Sequence, residues 1–196
     1  MWSRGGSYLW PGPTALGDSP PGGRSLAVVS PDSSVTINVR DDQLIVSGPS
    51  IQPGPMHEIE SLSEILWAPD SKAFALTSSD GGSVGTWSVR VYWPADGNVT
   101  DPSKVALRTF KREFWKCPEE YPNVGAIGWV QASRRLRVLV EMPCHSSCIQ
   151  MCRLRGYVVD AMTGQVVERL SEDAVGRRWK GSLGERFSAY AAPKAR

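Results

Sequence analysis

No run of apolar residues approaches the ~18 needed to cross a bilayer as a helix. The densest stretches, Ile65-Leu66-Trp67-Ala68 and Leu136 to Val140, are short, and Arg137 interrupts the second. No membrane span is expected. Charge of one sign is missing too. Lys plus Arg total 22 and Asp plus Glu 20, a net of +2. That balance excludes a polybasic nucleic-acid binder, so nucleic acid is not the expected partner. Met1-Trp2-Ser3-Arg4-Gly5-Gly6 lacks the apolar centre of a secretory leader. Cysteine is scarce at four in 196 residues. This is not the composition of a small disulfide-stapled domain, so a hydrophobic core must hold the fold.

The charge that is present is unevenly placed. Residues 1–98 hold 5 basic and 10 acidic side chains, and residues 99–196 hold 17 and 10. The halves therefore carry −5 and +7. Two halves facing each other in one domain would account for this, and so would an anionic partner for the C-terminal half. A hydrophobic share of 41% and a charged share of 21% place the chain among globular proteins. The length suits one domain.

Residues 1–24 are rich in Pro and Gly, which break regular structure. They read as a flexible segment, with Trp2, Tyr8, Leu9 and Trp10 available for docking. Beyond them a two-residue period dominates. Val35, Ile37 and Val39 alternate with polar neighbours, as do Trp87, Val89, Val91 and Trp93, and Leu136, Val138 and Val140. Each set is one buried strand face. Turn residues separate the runs, among them Pro31-Asp32-Ser33, Pro69-Asp70-Ser71 and Asp80-Gly81-Gly82. Short strands with a turn every ~8–12 residues indicate an all-β sandwich, barrel or propeller.

The strands fall into three groups of about four. The first is near 25–30, 34–40, 43–47 and 57–60. The second is near 63–68, 73–79, 84–93 and 104–110. The third is near 124–130, 135–141, 152–159 and 165–170. Segment 111–123 reads as a connection, because Cys117-Pro118 and Tyr121-Pro122 block a long helix. One helix is expected at 171–180, with Ser171 as its cap, Glu172 and Asp173 in its first turn, and Arg177, Arg178 and Lys180 at its end. The expected organisation is thus a flexible segment 1–24, a β-repeat domain 25–170, and a short helix with a tail at 171–196.

Val29-Ser30-Pro31-Asp32-Ser33 recurs as Trp67-Ala68-Pro69-Asp70-Ser71, and in degenerate form as Trp129-Val130-Gln131-Ala132-Ser133. In this turn Pro fixes φ at the first corner, and Asp hydrogen-bonds the backbone beyond it. The pattern resembles the blades of TolB-like and WD40-like β-propellers, whose repeats begin with a Trp-Ser-Pro-Asp-Gly-like turn. The best match runs from Trp67 to Trp93. The resemblance implies an all-β fold of about three propeller-like, antiparallel four-stranded repeats, with one short C-terminal helix. It also implies a binding role rather than a reaction. Three groups leave open sheet edges, which proteins cover or close. The expected solution is a monomer covered by its N-terminal segment and its helix. A homodimer closing one propeller is the alternative, and a fragment of a longer parent is a third.

Few residues suggest chemistry. Gly81-Gly82-Ser83-Val84-Gly85 fits the G-x-S-x-G pattern of a nucleophile elbow, and His145 follows in chain order. The elbow needs a strand-to-helix turn, whereas this stretch lies between strand patterns. A small serine hydrolase using Ser83 and His145 is therefore the alternative reading. Ser78 to Trp87 also resembles the Asp-box of sialidase-type propellers, a structural hairpin. Cys117, Cys144, Cys148 and Cys152 leave a disulfide, buried thiols or a metal site open. The foremost reading is one disulfide joining Cys117 to Cys144 or Cys148, and a metal-binding module at Cys144–Cys152 is kept as an alternative. No metal or other cofactor is expected. His57 has no evident catalytic partner. Trp67, Trp87, Trp93 and Trp129 fall on strand patterns and are expected in the core. Trp115 and Trp179 sit among basic residues, so Trp115, Arg177, Arg178 and Trp179 are the candidate binding residues. The resulting expectation is a non-catalytic binding or scaffold module with a protein partner. The resemblance tilts its location towards the cell envelope or the exterior.

Overall fold

A computed structural model describes residues 1–9, 26–40, 43–49, 51, 57–58, 62–79, 86–114, 121–144 and 148–187. Strands take up 47% of these residues. Sequence spacing decides how they group. Strands β2 (Leu26–Val29), β3 (Thr36–Arg40), β4 (Gln43–Ser47) and β5 (His57–Glu58) form the first sheet, following β1 (Ser7–Leu9) in the chain. Strands β6 (Leu62–Trp67), β7 (Phe74–Ser79), β8 (Trp87–Trp93) and β9 (Asn98–Thr100) form the second sheet. Strands β10 (Asn123–Val130), β11 (Arg135–Glu141), β12 (Leu154–Asp160) and β13 (Val166–Leu170) form the third. All pairings are antiparallel between chain neighbours, apart from β1, which joins the second sheet beside β6. Short turns allow this, because antiparallel strands need only a hairpin between them. None of the sheets closes into a barrel.

The sheets stack in chain order. Val28, Ile37 and Leu44 of the first pack against Ile65, Phe74, Leu76 and Tyr92 of the second. The opposite face of the second, with Leu66, Ala75, Val89, Val91 and Trp93, packs against Val124, Leu136, Val138, Val140, Tyr157 and Val159 of the third. The middle sheet is thus buried on both faces. That is why β6 and β7 are buried almost without interruption and why Ile65-Leu66-Trp67-Ala68 reads as a continuous apolar run. Trp93 is buried, whereas Trp67, Trp87 and Trp129 are half-buried at the sheet borders.

The recurring turns face one another. Ser33 and Ser71 adopt left-handed backbone, with φ of 62° and 60°. The N–H of Asp32 donates to Ser71 Oγ at 3.0 Å, and Ser133 Oγ donates to Asp70 Oδ2 at 2.9 Å. The hydroxyl at the third turn position of each later copy therefore binds the Asp position of the copy before it. The Ser34 N–H and the Ser34 and Ser30 hydroxyls hold the Asp32 carboxyl well below the usual carboxylate range. Asp160 is lowered chiefly by the Thr163 N–H. A lowered carboxylate stabilises the fold fully above its unfolded pKa, near 3.9, and stops doing so as pH falls through the folded value. The thermal midpoint should therefore hold from pH 7 to about 5 and drop below about 4. Asp32→Asn should make that drop shallower, and an unchanged acid limb in a pH series would refute the assignment.

One expectation is corrected. The segment 104–110 is not a strand but part of helix α1 (Pro102–Glu113). Asp101 caps it by accepting from the Lys104 N–H at 3.2 Å, and Pro102 opens it. Ala106, Phe110 and Phe114 recur every four residues and enter the core between the second and third sheets. The fourth strand of the second sheet is β9 instead. The N-terminal segment 1–24 is described only in part. Residues 10–24 lie outside the described residues, but residues 1–9 are docked. β1 pairs with β6, and Trp2 is buried against Ile127, Leu139, Leu183 and Phe187. The C-terminal helix α2 (Glu172–Arg178) forms as expected, with Ser171 Oγ accepting from the Ala174 N–H. No helix among the described residues is long and apolar enough to cross a membrane.

Candidate binding face

Successive side chains of a strand point to opposite faces. On β11, Leu136, Val138 and Val140 turn inward, which sends Arg135, Arg137, Leu139 and Glu141 to the outer face of the third sheet. There α2 and the 3-10 turn Glu185–Phe187 cover the sheet. Val175, Trp179, Leu183 and Phe187 pack on Leu139, Leu154, Val158 and Leu170. The fit depends on Gly156. A Cβ there would lie 2.5 Å from Trp179 Cζ3 and 2.6 Å from Val175 Cγ2.

The cover leaves a cleft of about 270 Å³ beside the third recurring turn. Val130, Arg135, Arg137, Val158, Val167, Glu168, Arg178 and Trp179 line it. Arg178 is bound to Glu168 through Nη1–Oε1 (2.5 Å) and Nη2–Oε2 (3.3 Å). That contact holds the guanidinium charge more firmly than usual. Among the described residues Arg137 donates only to the neutral Ser182 Oγ, at 3.0 Å, and its guanidinium lies 5.9 Å from the Trp179 ring centre. Among the described residues, the Nε atoms of Arg135 and Arg137 are buried without a hydrogen-bond partner. Opposite Arg135 on β12 stands Asp160, whose carboxylate accepts from the Thr163 N–H and hydroxyl at 2.9 and 3.0 Å.

The sequence-derived candidates divide. Arg178 and Trp179 line the cleft, and Arg177 is exposed nearby on α2. Trp179 serves as packing behind the cleft. Its ring is 2% exposed and backs Arg137 instead of facing solvent. Arg135 and Arg137 are not among those candidates, although the alternation along β11 marks them as outward-facing. Trp115, Ser83, His145 and Cys117 lie outside the described residues. His57 is placed on β5.

One arm of the cysteine expectation, Cys117 with Cys144, is corrected, and the other arm, Cys117 with Cys148, involves a residue outside the described ones. Cys144 is bonded to Cys152, with Cα atoms 4.4 Å apart, and not to Cys117. The β11–β12 ladder continues past its last strand pair, through Met142 N–H to Arg153 O (2.8 Å) and Cys152 N–H to Met142 O (3.0 Å), and so brings the two cysteines together. Cys148 is disulfide-bonded as well. All three sulfurs are thus engaged in disulfides and not free thiols.

A second cleft of about 420 Å³ is lined by Met1, Trp2, Trp87, Glu185 and Arg186. Its arginine is already answered, since Arg186 Nη2 donates to Glu141 Oε2 at 2.8 Å. Buried Tyr157 has its phenol pushed upward by loss of solvent, and next by the Glu113 charge. It lies in the core away from either cleft.

No family model and no curated protein matches the chain. Among solved structures, an acylaminoacyl peptidase of Pyrococcus horikoshii is similar over 74% of this chain, at 14% identity and a TM-score of 0.38. This chain spans only 22% of that one. A likeness at that score carries no argument about fold or activity.

Proposed function

We propose that the chain is a non-catalytic binding module made of three TolB-like or WD40-like repeats, and that it takes an acidic protein partner on the face formed by α2 and β11–β13. Three consecutive antiparallel sheets whose recurring turns contact one another support the repeat reading. One observation carries the binding reading. Three arginines, Arg135, Arg137 and Arg178, surround one cleft, and Glu168 alone among the lining residues opposes them. Exposed Arg177 extends the same charge along α2. Complementary charge of this kind speeds encounter and selects partners by sign. The outer face of the third sheet is occupied by α2, Trp179 and Phe187. A second copy would need that face to close a ring, so the reading is of a self-contained chain.

Charge reversal tests the binding reading. The double variant Arg177→Glu/Arg178→Glu should lose partners that wild type captures and releases in about 0.5 M salt, where the screening length falls to a few ångströms. Folding is checked by an unchanged thermal midpoint. An identical set of captured partners in the folded variant would overturn the proposal.

A further inference from the structure

Two arginines on one strand face, two residues apart, have Cα atoms about 7 Å from each other and carry like charge on the same side. They repel unless something answers them. Arg178 has Glu168. Among the described residues Arg135 has no counter-ion, and Arg137 has only the Ser182 hydroxyl and the Trp179 ring. Both Nε–H groups are shielded from water and make no hydrogen bond to the described residues. Buried donors are normally satisfied, so an orphaned pair beside an open cleft points to a missing acceptor.

The geometry points to a carboxylate. We infer that the cleft receives one acidic side chain of a protein segment, with Arg135 and Arg137 as its donors and with Trp179 and Ser182 holding Arg137 in place. This rests on the reading of the face as a protein-binding surface. A guanidinium presents parallel N–H groups that match the two oxygens of a carboxylate. The walls Val130, Val158 and Val167 suit apolar neighbours of that acid on the incoming chain. Glu168 at the same cleft opposes a dense polyanion. The volume lies below the ~300–1,000 Å³ of pockets for drug-sized ligands, which suits a side chain and not a nucleotide.

The test follows the arginine Nε–H resonances of the whole chain by ¹H–¹⁵N NMR. The probes are a blocked Val-Glu-Val peptide, sodium acetate and inorganic phosphate, each against chloride at matched ionic strength. Saturable shifts of the Arg135 and Arg137 signals by the peptide, weaker ones by acetate, and none at Arg177 are expected. Arg135→Gln/Arg137→Gln should weaken peptide binding about tenfold or more. Arg137→Lys, which keeps the charge and loses the planar donors, should also weaken it. No shift with the peptide would overturn the inference, and so would tighter binding of phosphate than of peptide. If the glutamine variant retains acidic-partner capture while Arg177→Glu/Arg178→Glu loses it, the cleft fails and the binding face stands. If both variants retain capture, the face fails as well.

Discussion

Glu64→Ala should destabilise the protein by about 3 kcal/mol or more, because it strands buried donors and leaves a void. Glu64 is 1% exposed on β6. Its carboxylate accepts from the Trp2 N–H at 2.7 Å, the Ser3 N–H at 2.9 Å and the Ser3 hydroxyl at 2.7 Å. The first residues are held on their other side as well. Gly184 N–H donates to Trp2 O, and Arg4 N–H donates to Ser182 O. Trp2 itself lies over Gly125, 5.1 Å from Phe187 and 5.9 Å from Trp87 between ring centres. The strap thus ties β6 to the segment covering the third sheet. Trp2→Ala should cost about 3–5 kcal/mol by loss of buried aromatic area. The two losses should not add, since either releases the same strap. Urea unfolding of both singles and the double reads this directly. A loss under about 1 kcal/mol for Glu64→Ala would show that the strap contributes little.

Gly156→Val should cost about 3 kcal/mol, at the upper end for overpacking. The added atoms have nowhere to go, because Trp179 and Val175 already occupy the space above the sheet. Helix α2 must lift, and Trp179 would leave its place behind Arg137. The loss should therefore appear twice, as a lower unfolding midpoint and as weaker peptide binding at the Arg135–Arg137 cleft. Adding Trp179→Ala to Gly156→Val should restore part of the packing, giving a double variant more stable than the sum of the singles predicts. Full additivity would mean that the two residues do not compete for one space.

The sequence shows the sheets better than the site. Alternation at Val35–Val39, Trp87–Trp93 and Leu136–Val140 marks one apolar face of each strand, and register follows from the turns. It misreads 104–110 because Val105, Leu107 and Thr109 fit a two-residue period as readily as Ala106, Phe110 and Phe114 fit a helical one. Asp101-Pro102 is the start signal that separates the two cases. The docking of Trp2 could not be read locally. Its partners Glu64, Gly125 and Phe187 are 62 to 185 residues away in sequence. The Cys144–Cys152 bond becomes evident only when the β11–β12 ladder is extended through Met142 and Arg153. Arg135 and Arg137 are visible as the polar half of an alternating strand. That their charges go unanswered depends on where α2 settles, which no spacing reveals.

The bonds between the recurring turns give the stack a direction. Asp32 engages Ser71, and Asp70 is engaged by Ser133. The third copy has Ala132 in the Asp place and so offers no carboxylate to a successor. The turns thus behave like dovetail joints cut one way, with a blank on the last piece. A lengthened version of this protein would best receive its extra repeat between two existing sheets, where an Asp precedes the junction and a Ser follows it. An addition after the third sheet would need a new place for α2.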